Sequence, residues 1–214
     1  MSELSVDKIT GKTGTGGSNS PLQFSGDTVT LGTGATIGTG ATIGTGVSLA
    51  NATFPAGHVI QILSTSVSTQ ESTTSTTMQE FTAGKVSITP KYQSSKFLIM
   101  VSTAVKTNKT GSGNASSREV SMFGIRRDIG GTDTDIYGPV EMSRQENAGS
   151  TSSGFQLVVN NSLSYLDTPN TTSEIDYIFI YRATYSGWTT YVPGKFSATD
   201  SDKGYTMTVM EIKQ

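Results

Sequence analysis

The chain carries a single histidine, His58, and no cysteine. A Ser-His-Asp triad would have to use His58 as its base. That residue follows Pro55-Ala56-Gly57, opens an apolar run, and has no G-x-S-x-G elbow to serve. A strand-edge position, or stacking against copies of itself on an assembly axis, suits it better than catalysis. Zinc sites built on thiolates or several histidines are excluded by count. Oxygen-ligand sites would fall at Asp133-Thr134-Asp135 or Asp200-Ser201-Asp202. Neither follows EF-hand spacing, and paired aspartates in loops more often serve turns. Glycosidase chemistry needs two carboxylates in one cleft, and no pair stands out. Arg126-Arg127-Asp128 lies at a strand end and reads as an interstrand or intersubunit ion pair.

Two phosphate-loop readings fail on spacing. Gly11-Lys12-Thr13 looks like the close of a Walker A loop, but Val6 stands where that loop needs glycine. Gly32, Gly34 and Gly38 are one residue too widely spaced for the dinucleotide fingerprint, with no strand before them and no helix pattern after. No catalytic residue, cofactor or metal is therefore expected, and the chain is not read as an enzyme. The aromatic group Tyr185, Trp188 and Tyr191 is the candidate recognition site. An exposed Trp188 between two tyrosines could stack on a sugar ring; equally, it could plug the end of a β domain.

The elements that must position these residues are strands. Gly, Ser, Thr and Asn replace both apolar residues, 34 %, and charged ones, 15 %. Good helix formers are sparse and never periodic at 3.6. The net charge of −2 leaves no electrostatic footprint for nucleic acid or an anionic membrane. No apolar run approaches a membrane span, and MSELSVDKIT lacks the basic and apolar regions of a secretory leader.

Within 31–54 the phrase LGTGATIGTGATIGTGVSLAN repeats in hexads. Leu31, Ile37, Ile43 and Leu49 stand six apart, as do Ala35, Ala41 and Val47. Six is a multiple of the strand period, so in extended chain the large residues share one face. The pattern matches one wall of a triangular β-helix. About three hexads make roughly one coil, which cannot bury its own apolar residues. Three chains side by side would close the prism, placing Leu31, Ile37, Ile43 and Leu49 on the trimer axis. The alternative is a flexible Gly/Thr linker.

Residues 55–214 hold most aromatic residues and the only tryptophan. Strand-like runs begin at His58, Lys85, Lys96, Glu119, Gly154, Ser162, Glu174 and Tyr205, with turn signals between them. The Lys96–Val101 run is continuously apolar, as in a strand buried on both faces. The last run slips at Met210, which suggests a bulge. The expected fold is all-β: an extended Gly/Thr hexad stalk, trimeric and β-prism-like, then an antiparallel β-sandwich of jelly-roll type. Polar loops are expected at 66–79, 107–117 and 144–153, as recognition surface or as solvated connection.

Several phrases, in order, resemble the small fibre-like virion proteins of marine tailed phages, cyanophages among them. They are Met1-Ser-Glu-Leu-Ser-Val-Asp-Lys-Ile, Ser20-Pro-Leu-Gln-Phe-Ser-Gly-Asp-Thr-Val-Thr-Leu, Pro55-Ala-Gly-His-Val-Ile-Gln, Ser95-Lys-Phe-Leu-Ile-Met-Val, Tyr165-Leu-Asp-Thr-Pro and Tyr205-Thr-Met-Thr-Val-Met-Glu-Ile. The resemblance implies a non-enzymatic homotrimer in the virion. Its 1–30 segment would dock on another virion protein of tail or capsid, and its β domain would project toward a host surface glycan or protein. The charge and the lack of a long apolar run lead to the expectation of neither nucleic acid nor membrane insertion among its partners. A tail fibre or host-attachment appendage is the first expectation and capsid decoration the second. A sugar-depolymerising spike is disfavoured.

Overall fold

The computed structural model describes residues 55–109, 118–146, 156–185, 187–195 and 204–214. The chain divides into two units, Met1–Asn51 and Ala52–Gln214, and every described residue belongs to the second. The 1–30 segment and the 31–54 ribbon, with Leu31, Ile37, Ile43 and Leu49, lie outside the described residues. So do Asp200 and Asp202, and most of the 107–117 and 144–153 loops.

The described residues contain no helix. Ten strands form: β1 (Val59–Val67), β2 (Glu71–Thr73), β3 (Gln79–Ile88), β4 (Lys96–Lys109), β5 (Arg118–Ile129), β6 (Thr132–Glu146), β7 (Gln156–Asp167), β8 (Ile175–Arg182), β9 (Trp188–Val192) and β10 (Tyr205–Ile212). All pairings are antiparallel. One sheet runs β1-β10-β4-β9-β2 with β7 on the other edge of β4; the second runs β3-β8-β5-β6. The two sheets pack face to face as a sandwich, with Phe81, Phe97, Ile99, Tyr177, Phe179, Tyr205 and Met207 buried between them. Phe81 meets Tyr205 of the other sheet edge-on at 4.8 Å, and Phe123 stacks on Phe179 of the neighbouring strand at 5.7 Å.

The proximal end of the sandwich is where β1 begins. There Gly57 N donates to Lys213 O and Lys213 N to His58 O, at 2.8 and 2.9 Å. His58 therefore sits at the start of a strand. Glu211 is fully buried at this end; Lys91 N, Ser95 Oγ and Gln61 Nε2 donate to its carboxylate at 2.8, 2.6 and 2.6 Å. A buried carboxylate needs such donors to offset its lost hydration. They fasten the 90–95 turn to the last strand.

The strands differ from the sequence expectations in four ways. β6 carries Gly138-Pro139 and few large apolar residues, so its signal was weak. It pairs only with β5, an edge position where proline is tolerated. The runs from Gly154 and Ser162 are one strand, β7, continuously paired with β4 from Gln156 to Asp167. β2 lies inside the expected 66–79 loop. β10 has no bulge: it pairs with β4 residue by residue from Tyr205 to Ile212, and the irregularity lies in β1 between Val59 and Gln61.

Candidate functional site

Three surfaces could carry chemistry or contacts: the outer face of each sheet, and the distal end around β9.

The outer face of the β3-β8-β5-β6 sheet is charged. Arg126 bonds Asp135 at 2.7 Å, Glu80 at 2.9 Å and Asp133 at 3.3 Å. The Asp135 bond chiefly raises the guanidinium pKa and outweighs burial. Asp133 and Asp135 thus neutralise an arginine and are not arranged around a cation. Lys85 and Asp176 pair at 2.6 Å. Burial alone would raise the Asp176 carboxyl, but the bonds from Lys85 and Ser87 hold it below its ordinary value. Arg127 points inward, to Asp167 of the other sheet, at 2.9 Å. Among the described residues, no group of three or more His, Cys, Asp or Glu could hold a metal ion. No described helix is long and apolar enough to cross a membrane.

The outer face of the β1-β10-β4-β7 sheet is different. Register sets three rows across it, two residues apart along each strand. Just inside the proximal Lys96–Ile212 pair, the first of these rows is Ile62, Met210, Leu98 and Leu166. The next is Ser64, Thr208, Met100 and Ser164; the third is Ser66, Thr206, Ser102 and Ser162. None of these residues is charged. Ile62 is 54 % exposed and Leu166 47 %, while Leu98, Met100 and Met210 are half-buried. The hydroxyls of Ser64 and Thr208 bond across strands at 2.5 Å. A shallow groove of about 370 Å³ runs over the second and third rows.

At the distal end, β9 pairs with the last residues of β4, placing Trp188 beside Lys109 and Tyr191 beside Lys106. Trp188 points into the sandwich and is 1 % exposed. The expectation of an exposed tryptophan platform is corrected on this point: side chains alternate along β9, so Trp188 and Tyr191 face opposite ways. Of the two earlier readings, the indole follows the plug. Tyr191 lies on the outer face under Lys106 Nζ, 4.1 Å from its ring centroid. Burial lowers the Lys106 pKa. Tyr185 is 42 % exposed. Beneath β9 the core turns polar: Thr107 bonds Ser121 at 2.7 Å, and Ser121 bonds Thr190 at 3.0 Å. This hydroxyl chain had no sequence signal, because Ser and Thr are common throughout the chain.

No family model matches the chain, and no curated protein matches it. Among solved structures it is similar to dimeric latent PorU from Porphyromonas gingivalis, at 9 % identity and a TM-score of 0.32. That match covers 76 % of this chain and 14 % of the other.

Proposed function

We propose that this protein is a homotrimeric bacteriophage virion component, a tail fibre or host-attachment appendage without catalytic function. The observation that supports the reading is the hexad register of Leu31, Ile37, Ile43 and Leu49, running into Pro55 and the first strand of the β domain. A linker has no need of a large aliphatic residue at every sixth position; a three-walled prism does. The 1–30 segment docks on another virion protein, and the domain projects. The strand orders β1-β10-β4-β7 and β3-β8-β5-β6 support a jelly-roll type of sandwich. With Trp188 inside, recognition of a host glycan or protein falls to Tyr185, Tyr191 and the distal polar connections.

The brevity of the ribbon favours a second reading. About 24 residues at roughly 3.3 Å each span roughly 80 Å at most, a reach that also suits capsid decoration.

Copy number in purified particles, measured by quantitative mass spectrometry against the major capsid protein, tests both. A few to a few tens of chains per particle support the appendage. Hundreds support decoration. Absence from particles refutes the virion reading.

A further inference from the structure

We infer that the uncharged middle of the outer face of the β1-β10-β4-β7 sheet, the three rows between Lys96 and Lys106 of β4, is covered by two further copies of this chain, with the Ile62–Met210–Leu98–Leu166 row turned toward a shared axis. The inference rests on the homotrimer reading and locates the contact within the β domain.

Three observations carry it. The first is a mismatch between sequence and burial. Lys96–Val101 has the continuous apolar pattern of a strand covered on both sides. In one chain only the inner side is covered: Phe97, Ile99 and Val101 are at most 3 % exposed, while Leu98 and Met100 stay half-exposed. Leu98 is not isolated, because pairing places an apolar residue beside it on each neighbouring strand and on β1 beyond. A contiguous apolar row of this kind marks a contact site more often than scattered apolar residues do.

The second is charge. The opposite sheet carries Arg126, Glu80, Asp133, Asp135, Lys85 and Asp176 on its outer side. The three rows carry none; on the same face Lys96 and Lys106 of β4 stand only at their two ends. Depletion of charge is the compositional mark of an interface centre. An uncharged face also meets its own copies without like-charge repulsion, which a charged partner would not require.

The third is position. The hexads of 31–54, which carry the trimer reading, continue in sequence through Pro55 into β1, the strand that bears Ile62. From the start of β1 the apolar row follows the Lys96–Ile212 pair, and the hydroxyl rows come after it.

The face is about 19 Å wide, for four strands at roughly 4.8 Å, and about 20 Å tall. That is roughly half of the 800 Å² that a standard interface buries per partner. It is large enough to align the domains and too small to hold them together alone, so accessibility is the discriminating measurement.

The test uses the full chain, which has no native cysteine. Ile62→Cys and Leu166→Cys are compared with Thr82→Cys, an exposed position on the other sheet, for maleimide labelling rate, with mass from light scattering. The expected result is a trimer in which Cys at 62 and 166 labels at least about tenfold more slowly than Cys at 82, since access controls thiol reaction. Peroxide oxidation of the unmodified chain checks this without substitution: Met100 and Met210 should react slowly, like buried Met207, and not like half-exposed Met78. A trimer with fast labelling and fast oxidation at these positions overturns the inference and leaves the homotrimer standing. A monomer overturns both.

Discussion

The Tyr177 hydroxyl donates a 2.9 Å hydrogen bond to Oδ2 of Asp167, tying β8 in one sheet to the end of β7 in the other. Arg127 Nη1 closes on both oxygens of the same carboxylate, at 2.9 and 3.0 Å. Asp167 is 5 % exposed, and these donors offset its desolvation. The cluster fixes how the sheets face each other at the proximal end, just behind the Leu166 position of the apolar row.

Removing the carboxylate should therefore cost more than a surface change. Asp167→Ala leaves Arg127 and Tyr177 without this acceptor, and a loss of about 3 kcal/mol is expected. Tyr177→Phe removes one bond, and about 1 kcal/mol is expected. Urea denaturation of the full chain measures both. Equal, negligible losses would show that the cluster does not join the sheets.

Alkaline pH should unfold the domain through its buried tyrosines. Burial, then the charge of Glu71, pushes Tyr181 up to about 12. Burial also raises Tyr177, together with the negative charge of Asp167, and it raises Tyr205. Each is neutral when folded and ordinarily titrates near 10 when unfolded. The folded state thus holds these protons more tightly. Their contribution is complete below pH of about 10 and is lost as pH climbs toward and through the raised values. Tyrosinate absorbance from these residues should appear together with the loss of β-sheet circular dichroism. Complete tyrosine ionisation with a native spectrum would contradict their burial.

Gly84 lies in the β3 irregularity between Phe81 and Val86. A Cβ there would run into the rings of Tyr205 and Phe81, at separations real Cβ atoms do not show. Gly84→Ala is expected to destabilise by about 1–3 kcal/mol through overpacking. Thermal denaturation checks this, with Thr82→Ala as the exposed neighbour that should change little.

Ile37→Asp with Ile43→Asp would put six carboxylates on the axis of a trimeric ribbon. Each uncompensated buried charge costs several kcal/mol, so light scattering should show dissociation. A trimer of unchanged mass and heat resistance would leave the ribbon as a linker.

Much of the sandwich was legible from alternation. Lys85-Val-Ser-Ile and Tyr205-Thr-Met-Thr-Val put their apolar residues on the inner face, as their spacing says. What misled was chemistry from outside the strand concerned. Met210 looked like a slip in β10, yet it belongs to the opposite face and sits beside Ile62 and Leu98. β6 was invisible because an edge strand with Gly138-Pro139 needs few large residues. Trp188 could not be placed, since its direction depends on which parity of β9 meets Lys109. The Arg126 network follows from three strands meeting, which neighbouring residues in the chain do not reveal.

The place of β10 also bears on how the domain is made. It lies between β1 and β4 and pairs with both, although it is the last of the ten strands to leave the ribosome. Until Tyr205–Ile212 emerges, β1 has no sheet partner and Glu211 has not fastened the 90–95 turn. Contacts this distant along the chain fold slowly. Completion of the sandwich is therefore a late event, and a nascent chain arrested ahead of residue 205 would leave β1 and the Lys96–Thr103 edge of β4 open to pairing with other strands.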